Sequence, residues 1–237
     1  MHNIAVIGYG GMGEWHCNSI KKEISKLNIK GVYDIRPERN NAARSNGLFT
    51  YDSLESVLND KDIGIVTIAT PNDSHKKLAI DMLKAGKNVV LEKPAAMSAK
   101  DFNDIVAVSE ETGKILTTHQ NRRWDKDYNI IKSIYQNNLI GNIYSIESRI
   151  QGSRQFLHGW RSAAFNGGGM VYDWGVHIID QALDLIDSKV VSVYAHLFHV
   201  FTDEVDDNFK VMLRFEDGTS VILEASMNCF VLHPRWH

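Results

Sequence analysis

The sequence predicts an α/β protein: an N-terminal parallel sheet wrapped by helices, then an α+β domain built on a mostly antiparallel, open sheet. Three observations predict it. A G-x-G-x-x-G loop, Gly8 to Gly13, directly follows the apolar run Ile4-Ala5-Val6-Ile7. Strand-length and helix-length stretches alternate as far as about residue 120. Beyond that point three long strand-like stretches follow one another, with Asp217-Gly218 between the last two. Alternation of this kind calls for parallel strands and right-handed crossovers. Consecutive strands joined by an Asp-Gly turn make antiparallel hairpins instead.

Each element has a local reason. After the first strand, Glu14 to Lys26 is compatible with a helix, and Ile29 to Tyr33 reads as the second strand, closed by Asp34. Pro37 to Asn46 reads as a helix with proline at a favoured early position and Gly47 as its stop. A short strand is expected at Leu48 to Thr50, and Ser53 and Ser56 suit the start of the helix that follows. Ile63 to Ala69 is continuously apolar, as a parallel strand buried on both faces requires. A helix over Asn72 to Ala85 ends at Gly86, and then come a strand (Asn88 to Leu91), a helix (Ser98 to Thr112) and a strand (Ile115 to Thr118). In the second half the pattern predicts a helix from about Lys126 to Asn138 and a strand over Ile143 to Ile150. A single helix from about Gly168 to Ile186 follows, then strands over Val190 to Val200, Asp207 to Glu216 and Ser220 to Val231. The rhythm changes at residues 119 to 124, which divides the chain into a dinucleotide-binding domain over 1–120 and a substrate and oligomerisation domain over 121–237.

Composition excludes several classes. A net charge of −3 gives no electrostatic footprint for nucleic acid. No apolar run approaches the roughly 18 residues that a membrane helix needs. Cys17 and Cys229 have no metal-ligand or redox spacing and read as thiols in a reducing cytoplasm. His196 and His199 fall on opposite faces of a strand, and no metal is expected. The first strand begins at once, without a signal peptide, and the chain stops at Pro234-Arg235-Trp236-His237 after a strand. A shortened product is therefore expected.

The glycine loop has a mechanism. Gly8 allows a tight turn, Gly10 lets a pyrophosphate approach the backbone, and Gly13 lets helix and strand pack closely. The helix N-terminus then directs free N–H groups at the phosphates. Asp34 stands 21 positions after Gly13, near the spacing of a carboxylate that binds a ribose 2′-hydroxyl. That carboxylate favours NAD. Arg36 and Arg39 either soften the exclusion of NADP or stack on adenine. Thr70-Pro71-Asn72 follows a strand at the ligand edge, where Asn72 can both cap the next helix and face a cofactor. Glu92-Lys93-Pro94 ends the next strand at the same edge, and a cis bond before Pro94 is allowed.

Asp173 and His177 are four apart and share a helix face. A carboxylate beside an imidazole suits a general base, and equally an exposed ion pair or a satisfied core histidine. Gly167-Gly168-Gly169 upstream suggests a loop that approaches a ligand closely. Asn121-Arg122-Arg123-Trp124 and Trp160-Arg161 fit either a substrate pocket for polyhydroxy compounds or an interdomain ion-pair network with packed tryptophans.

Together these residues resemble the Gfo/Idh/MocA family of oxidoreductases, which includes inositol dehydrogenases and enzymes like glucose–fructose oxidoreductase. The matching pieces are the glycine loop, Thr70-Pro71-Asn72 with His75, the stretch from Gly86 to Pro94 with Glu92-Lys93-Pro94, and Gly168-Gly169 through Asp173 and His177. The resemblance implies a Rossmann domain and a sheet domain often used for homo-oligomerisation. It implies that NAD, with NADP as the alternative, is bound by the loop (Gly8, Gly10, Gly11, Met12, Gly13), by Asp34 and Arg36, and by Thr70, Pro71, Asn72 and His75. Glu92, Lys93 and Asn121 complete the implied cofactor contacts. Lys93, Asp173 and His177 are the implied catalytic set, with His177 as acid/base. Asp173 and His177 also belong to the substrate site, with Arg123, Trp124, Trp160 and Arg161. The implied reaction is hydride transfer between nicotinamide and a secondary alcohol of a sugar or polyol. An NAD-dependent glycoside hydrolase and a ligand-sensing relative without turnover are the alternatives.

Overall fold

The computed structural model describes residues 1–153, 157–231 and 233–237. The chain divides into two compact units, Met1–His119 and Gln120–His237.

The first unit contains β1 (His2–Ile7), α1 (Gly11–Glu23), β2 (Leu27–Tyr33), α2 (Pro37–Ser45) and α3 (Leu54–Asn59). β3 (Ile65–Ile68), α4 (His75–Lys84), β4 (Asn88–Leu91), α5 (Ala99–Thr112) and β5 (Leu116–Thr118) follow. The five strands pair in parallel in the order β2-β1-β3-β4-β5. Burial explains the apolar run at the sheet centre: Val66, Thr67 and Ile68 of β3 are all buried. Helix starts follow their caps. Ser53 accepts the Ser56 N–H and Ser98 accepts the Asp101 N–H, both at 3.1 Å. Gly113, at φ 62°, ends α5 in the left-handed conformation.

Two expectations change here. The Leu48–Thr50 strand is reduced to a single bridge between Val32 and Thr50. The helix expected from Asn72 begins at His75, after a 3₁₀ turn over Asn72–Ser74. Pro71 holds the extended entry to that turn, and the Ser74 hydroxyl bonds back to Thr70 Oγ1 at 2.6 Å.

The second unit opens with a 3₁₀ turn (Asn121–Trp124) and α6 (Lys126–Gln136), followed by β6 (Ser145–Gln151). Then come a π-helical turn (Val171–Gly175), α7 (Val176–Leu185), β7 (Val190–Phe198), β8 (Asn208–Phe215) and β9 (Ser220–Ser226). The sheet order is β6-β9-β8-β7. β7, β8 and β9 form the expected antiparallel meander, but β6 pairs with β9 in parallel, so the sheet is mixed. Alternation along a strand reports which face is buried and says nothing of the partner's direction. On β8, Phe209, Val211, Leu213 and Phe215 are buried, against Tyr128 of α6 and Ile178, Ala182 and Leu185 of α7. The chain end lies along β6, where Glu147 and His237 exchange both backbone hydrogen bonds. No helix among the described residues is long and apolar enough to cross a membrane.

Between β7 and β8, the fully buried Asp207 carboxylate accepts the backbone N–H groups of Val200, Phe201 and Thr202. Burial pushes its pKa up, and these hydrogen bonds, with one from Asn208, outweigh it and hold the group below the usual carboxylate range. A depressed folded pKa is stability present at neutral pH and lost in acid. Asp207→Ala should therefore lower stability at pH 7 by about 2–4 kcal/mol, since it leaves three donors without their acceptor. Urea unfolding at pH 7 and pH 3 checks this: the difference from the parent should shrink at the lower pH.

Candidate functional site

The glycine loop joins β1 to α1 under tight steric limits. Gly8 has φ +88°, and a Cβ there would stand 2.5 Å from the Ala69 carbonyl oxygen. A Cβ on Gly13 would stand 1.8 Å from the Gly8 carbonyl oxygen. At Gly10 and Gly11 a Cβ would meet nothing within 4 Å. Gly10 caps α1 with extended backbone and no side-chain hydrogen bond, which leaves the N–H groups of the first turn to an external acceptor. Met12, in that turn, is half-buried.

Asp34, 7% exposed, follows β2. Its Oδ2 accepts the Tyr9 N–H at 2.7 Å and its Oδ1 accepts the Arg36 N–H at 2.9 Å. The Arg36 side chain is half exposed, with Nε 3.7 Å from Asp34 Oδ1. A free helix N-terminus, open space over two glycines and a fixed carboxylate at the end of the neighbouring strand suit a dinucleotide.

The loops after β3 and β4 are tied together by His75, which is fully buried. Its Nδ1 lies 2.8 Å from the Pro94 carbonyl oxygen and its Nε2 lies 3.0 Å from that of Thr70. Burial pushes its pKa down despite both carbonyls. The sequence placed His75 at the cofactor; its ring is instead engaged with backbone, as a strut between two loops. Asn72 is buried, Thr70 and Pro71 are half-buried, and the Lys93–Pro94 bond is cis.

Glu92 Oε1 accepts from His16 Nε2 at 2.7 Å and from His119 Nδ1 at 2.9 Å, while Oε2 accepts the Lys93 N–H at 3.2 Å. Burial pushes the Glu92 carboxyl up, and the hydrogen bonds and charges of His119 and His16 outweigh it, leaving the group at about 2. Sequence reasoning missed both histidines. The one available signal was His16 three residues after Gly13, a polar residue on the buried face of α1.

In the second unit, Asp173 lies in the π-helical turn and His177 in the first turn of α7, so the single helix expected from Gly168 is two segments. Asp173 Oδ2 pairs with Arg161 Nε at 3.2 Å, and Arg161 lies over the Trp160 ring at 4.6 Å. His177 is 5% exposed, with its ring 5.8 Å from that of Trp174. Arg122 stacks on the other residue of this pair, 4.1 Å from the Trp174 ring centre. Gly168 and Gly169 are required by chain packing. A Cβ on Gly168 would meet the Arg161 carbonyl oxygen at 2.3 Å, and one on Gly169 would meet Asp206 Oδ1 at 2.3 Å. Asp206 also accepts the Val171 N–H at 2.9 Å, at the start of the π-helical turn.

Arg123 grips Asp180 of α7 through Nε and Nη2 at 2.7 and 2.6 Å. This ion pair lies inside the second unit. Trp124 is 81% exposed, and Asn121 begins the 3₁₀ turn beside these residues.

Residues 2–120 match the family described as "Oxidoreductase family, NAD-binding Rossmann fold", and residues 128–236 match the GFO/IDH/MocA C-terminal domain. An uncharacterised oxidoreductase of Schizosaccharomyces pombe is 32% identical over 76% of this chain and 51% of its own length. The scyllo-inositol 2-dehydrogenase (NADP(+)) of Bacillus subtilis is 28% identical over 77% of this chain and 51% of its own. The crystal structure of an NAD-binding protein from Listeria innocua superposes with a TM-score of 0.97 at 44% identity, covering 99% of this chain and 69% of that one. The chain thus spans about half the length of the first curated relatives it matches.

Two glycines separate packing from binding. Gly13→Ala should cost about 2–4 kcal/mol, because the Gly8 carbonyl cannot move without breaking the turn. Gly10→Ala should cost no more than about 1 kcal/mol and still weaken nucleotide binding, since its methyl occupies the open space. Chemical unfolding and a nucleotide titration of both variants check the pair. Equal destabilisation by the two would contradict the geometry.

Proposed function

Because the chain belongs to the Gfo/Idh/MocA family of oxidoreductases, matched in both its nucleotide-binding and C-terminal parts, we propose that it carries the nucleotide- and substrate-binding residues of an NAD(P)-dependent dehydrogenase. The substrate is a secondary alcohol of a sugar, polyol or sugar derivative. The observation that carries this reading is the free N-terminus of α1 over Gly10 and Gly11, with Asp34 fixed beside it. The B. subtilis relative named for scyllo-inositol supports the substrate class. A homo-oligomer of the longer protein belongs to the same reading.

NAD is the favoured cofactor. The carboxylate of Asp34 accepts a ribose hydroxyl and repels a 2′-phosphate, and Arg36, drawn toward Asp34, offsets that repulsion in part. Bound nicotinamide supplies a hydride acceptor at its ring carbon. His177 would take the hydroxyl proton of the alcohol as the carbinol hydrogen leaves with its electron pair as hydride to that acceptor, so that the alcohol becomes a ketone and the histidine an imidazolium. Lys93, at the ligand edge of the first unit, is the other residue of the proposed catalytic set, a donor suited to an alcohol oxygen that develops negative charge. Asp173, held by Arg161, binds a neighbouring hydroxyl or orients His177.

Saturating NAD, at about 100 times its dissociation constant, should stabilise the chain by roughly 2.7 kcal/mol, and equal NADP should do less. His177→Ala and Lys93→Ala should each cut polyol oxidation by about 10²–10⁴-fold while the NAD-induced melting shift persists. Undiminished turnover in either variant would overturn these roles.

A further inference from the structure

We propose that the His16–Glu92–His119 cluster, in which His16 and Glu92 are buried and His119 is half-buried, sets in a pH-dependent way which redox form of the nicotinamide cofactor the first unit prefers. It favours the oxidised, cationic ring when both imidazoles are neutral. The inference rests on the dinucleotide reading of the glycine loop.

The placement follows from sheet order. Asp34 ends β2 on one side of β1 and its loop, while β3, β4 and β5 lie on the other side. A dinucleotide with its pyrophosphate at α1 and its adenosine ribose at Asp34 would extend its second half toward the carboxyl ends of β3, β4 and β5, where open α/β sheets bind their ligands. Glu92 directly follows β4 and His119 directly follows β5, while His16 reaches them from the first turns of α1.

The cluster has a variable charge. Each imidazole needs only one N–H to donate to Glu92, so two neutral rings leave the cluster at −1. One added proton brings it to zero and a second to +1. Glu92 is 5% and His16 6% exposed. Trp15 lies across both rings, at 5.3 Å from His16 and 5.7 Å from His119. Water therefore screens the Glu92 charge weakly, and the charge on half-buried His119 more strongly. Other titratable groups on the surrounding elements are Lys93 after β4, Glu14 and Cys17 on α1 and His75 on α4, whose pKa burial pushes down. The oxidised and reduced cofactors carry the same phosphates and differ by one positive charge on the nicotinamide. Their affinity ratio therefore isolates the field at that ring.

The test measures the dissociation constants of NADH, by its fluorescence, and of NAD, by competition, at pH 6.0 and 8.5. A His177→Ala background removes the proposed acid/base from the titration. The ratio of the NADH to the NAD constant should rise several-fold from the lower pH to the higher. Glu92→Gln should lower that ratio at pH 8.5 on the order of tenfold, the effect of removing one weakly screened charge. His119→Asn keeps a donor near the Nδ1 position and removes one titration. It should hold the ratio near its high-pH value and flatten its fall toward pH 6.0. A purely structural role moves both variants the same way; opposite effects support the proposal, and if Glu92→Gln does not fold the His119→Asn profile decides alone. Tight binding of both forms with a ratio that neither pH nor either variant changes overturns it. Failure of both nucleotides to bind overturns the dinucleotide reading itself, and this inference with it.

Discussion

The first unit depends on one close approach. α1 can pack against β1 only because position 13 has no side chain, its missing Cβ lying 1.8 Å from where the Gly8 carbonyl oxygen stands. That contact fixes where the helix begins, and so where its unpaired N–H groups point. Gly8, pressed on the Ala69 backbone, locks the loop against the end of β3. Tyr9, whose N–H meets Asp34, locks it against the end of β2. Three strand ends are thereby brought into register around one turn, and every proposed cofactor contact of the unit inherits its position from that turn.

A second constraint acts beside the first. Glu92 is buried as an anion, which is costly unless donors surround it. His16, His119 and the Lys93 backbone supply them. The same carboxylate thus joins α1, β4 and β5 and fixes the backbone on which Lys93 stands. His75, also buried, spans Thr70 and Pro94. Both groups stand where backbone leaves the strands and needs partners.

What was legible in the sequence was local. The glycine spacing, the apolar run of β3 and the Asp217-Gly218 hairpin each state a requirement met within a few residues. The contacts that order the site span long stretches of chain. His16 and Glu92 are 76 positions apart, and Glu92 and His119 are 27 apart. Neither histidine stands in a motif with the glutamate. The helix expected from Gly168 fails for a similar reason. Gly168 packs on the Arg161 backbone and Gly169 on Asp206, and these tertiary contacts replace the first helical turn. Asp173 and His177 were identified as residues; the Arg161 partner of Asp173 and the π-helical turn beneath it were not.

The parallel pairing of β6 with β9 has a consequence for how the second unit is made. Gln151 and Glu224, joined across that pair, are 73 positions apart in the chain. Closing so long a loop has a high entropic barrier, and pairings of this kind form slowly. α7, with His177, lies inside the loop, whereas the first unit is built from shorter β-α-β steps. During synthesis the nucleotide-binding half has all its strands by residue 118, while β6 waits for β9. The histidine proposed to move the proton is thus among the last parts of the chain to find its setting, and in the interval β6 is an unpaired edge open to the wrong neighbour.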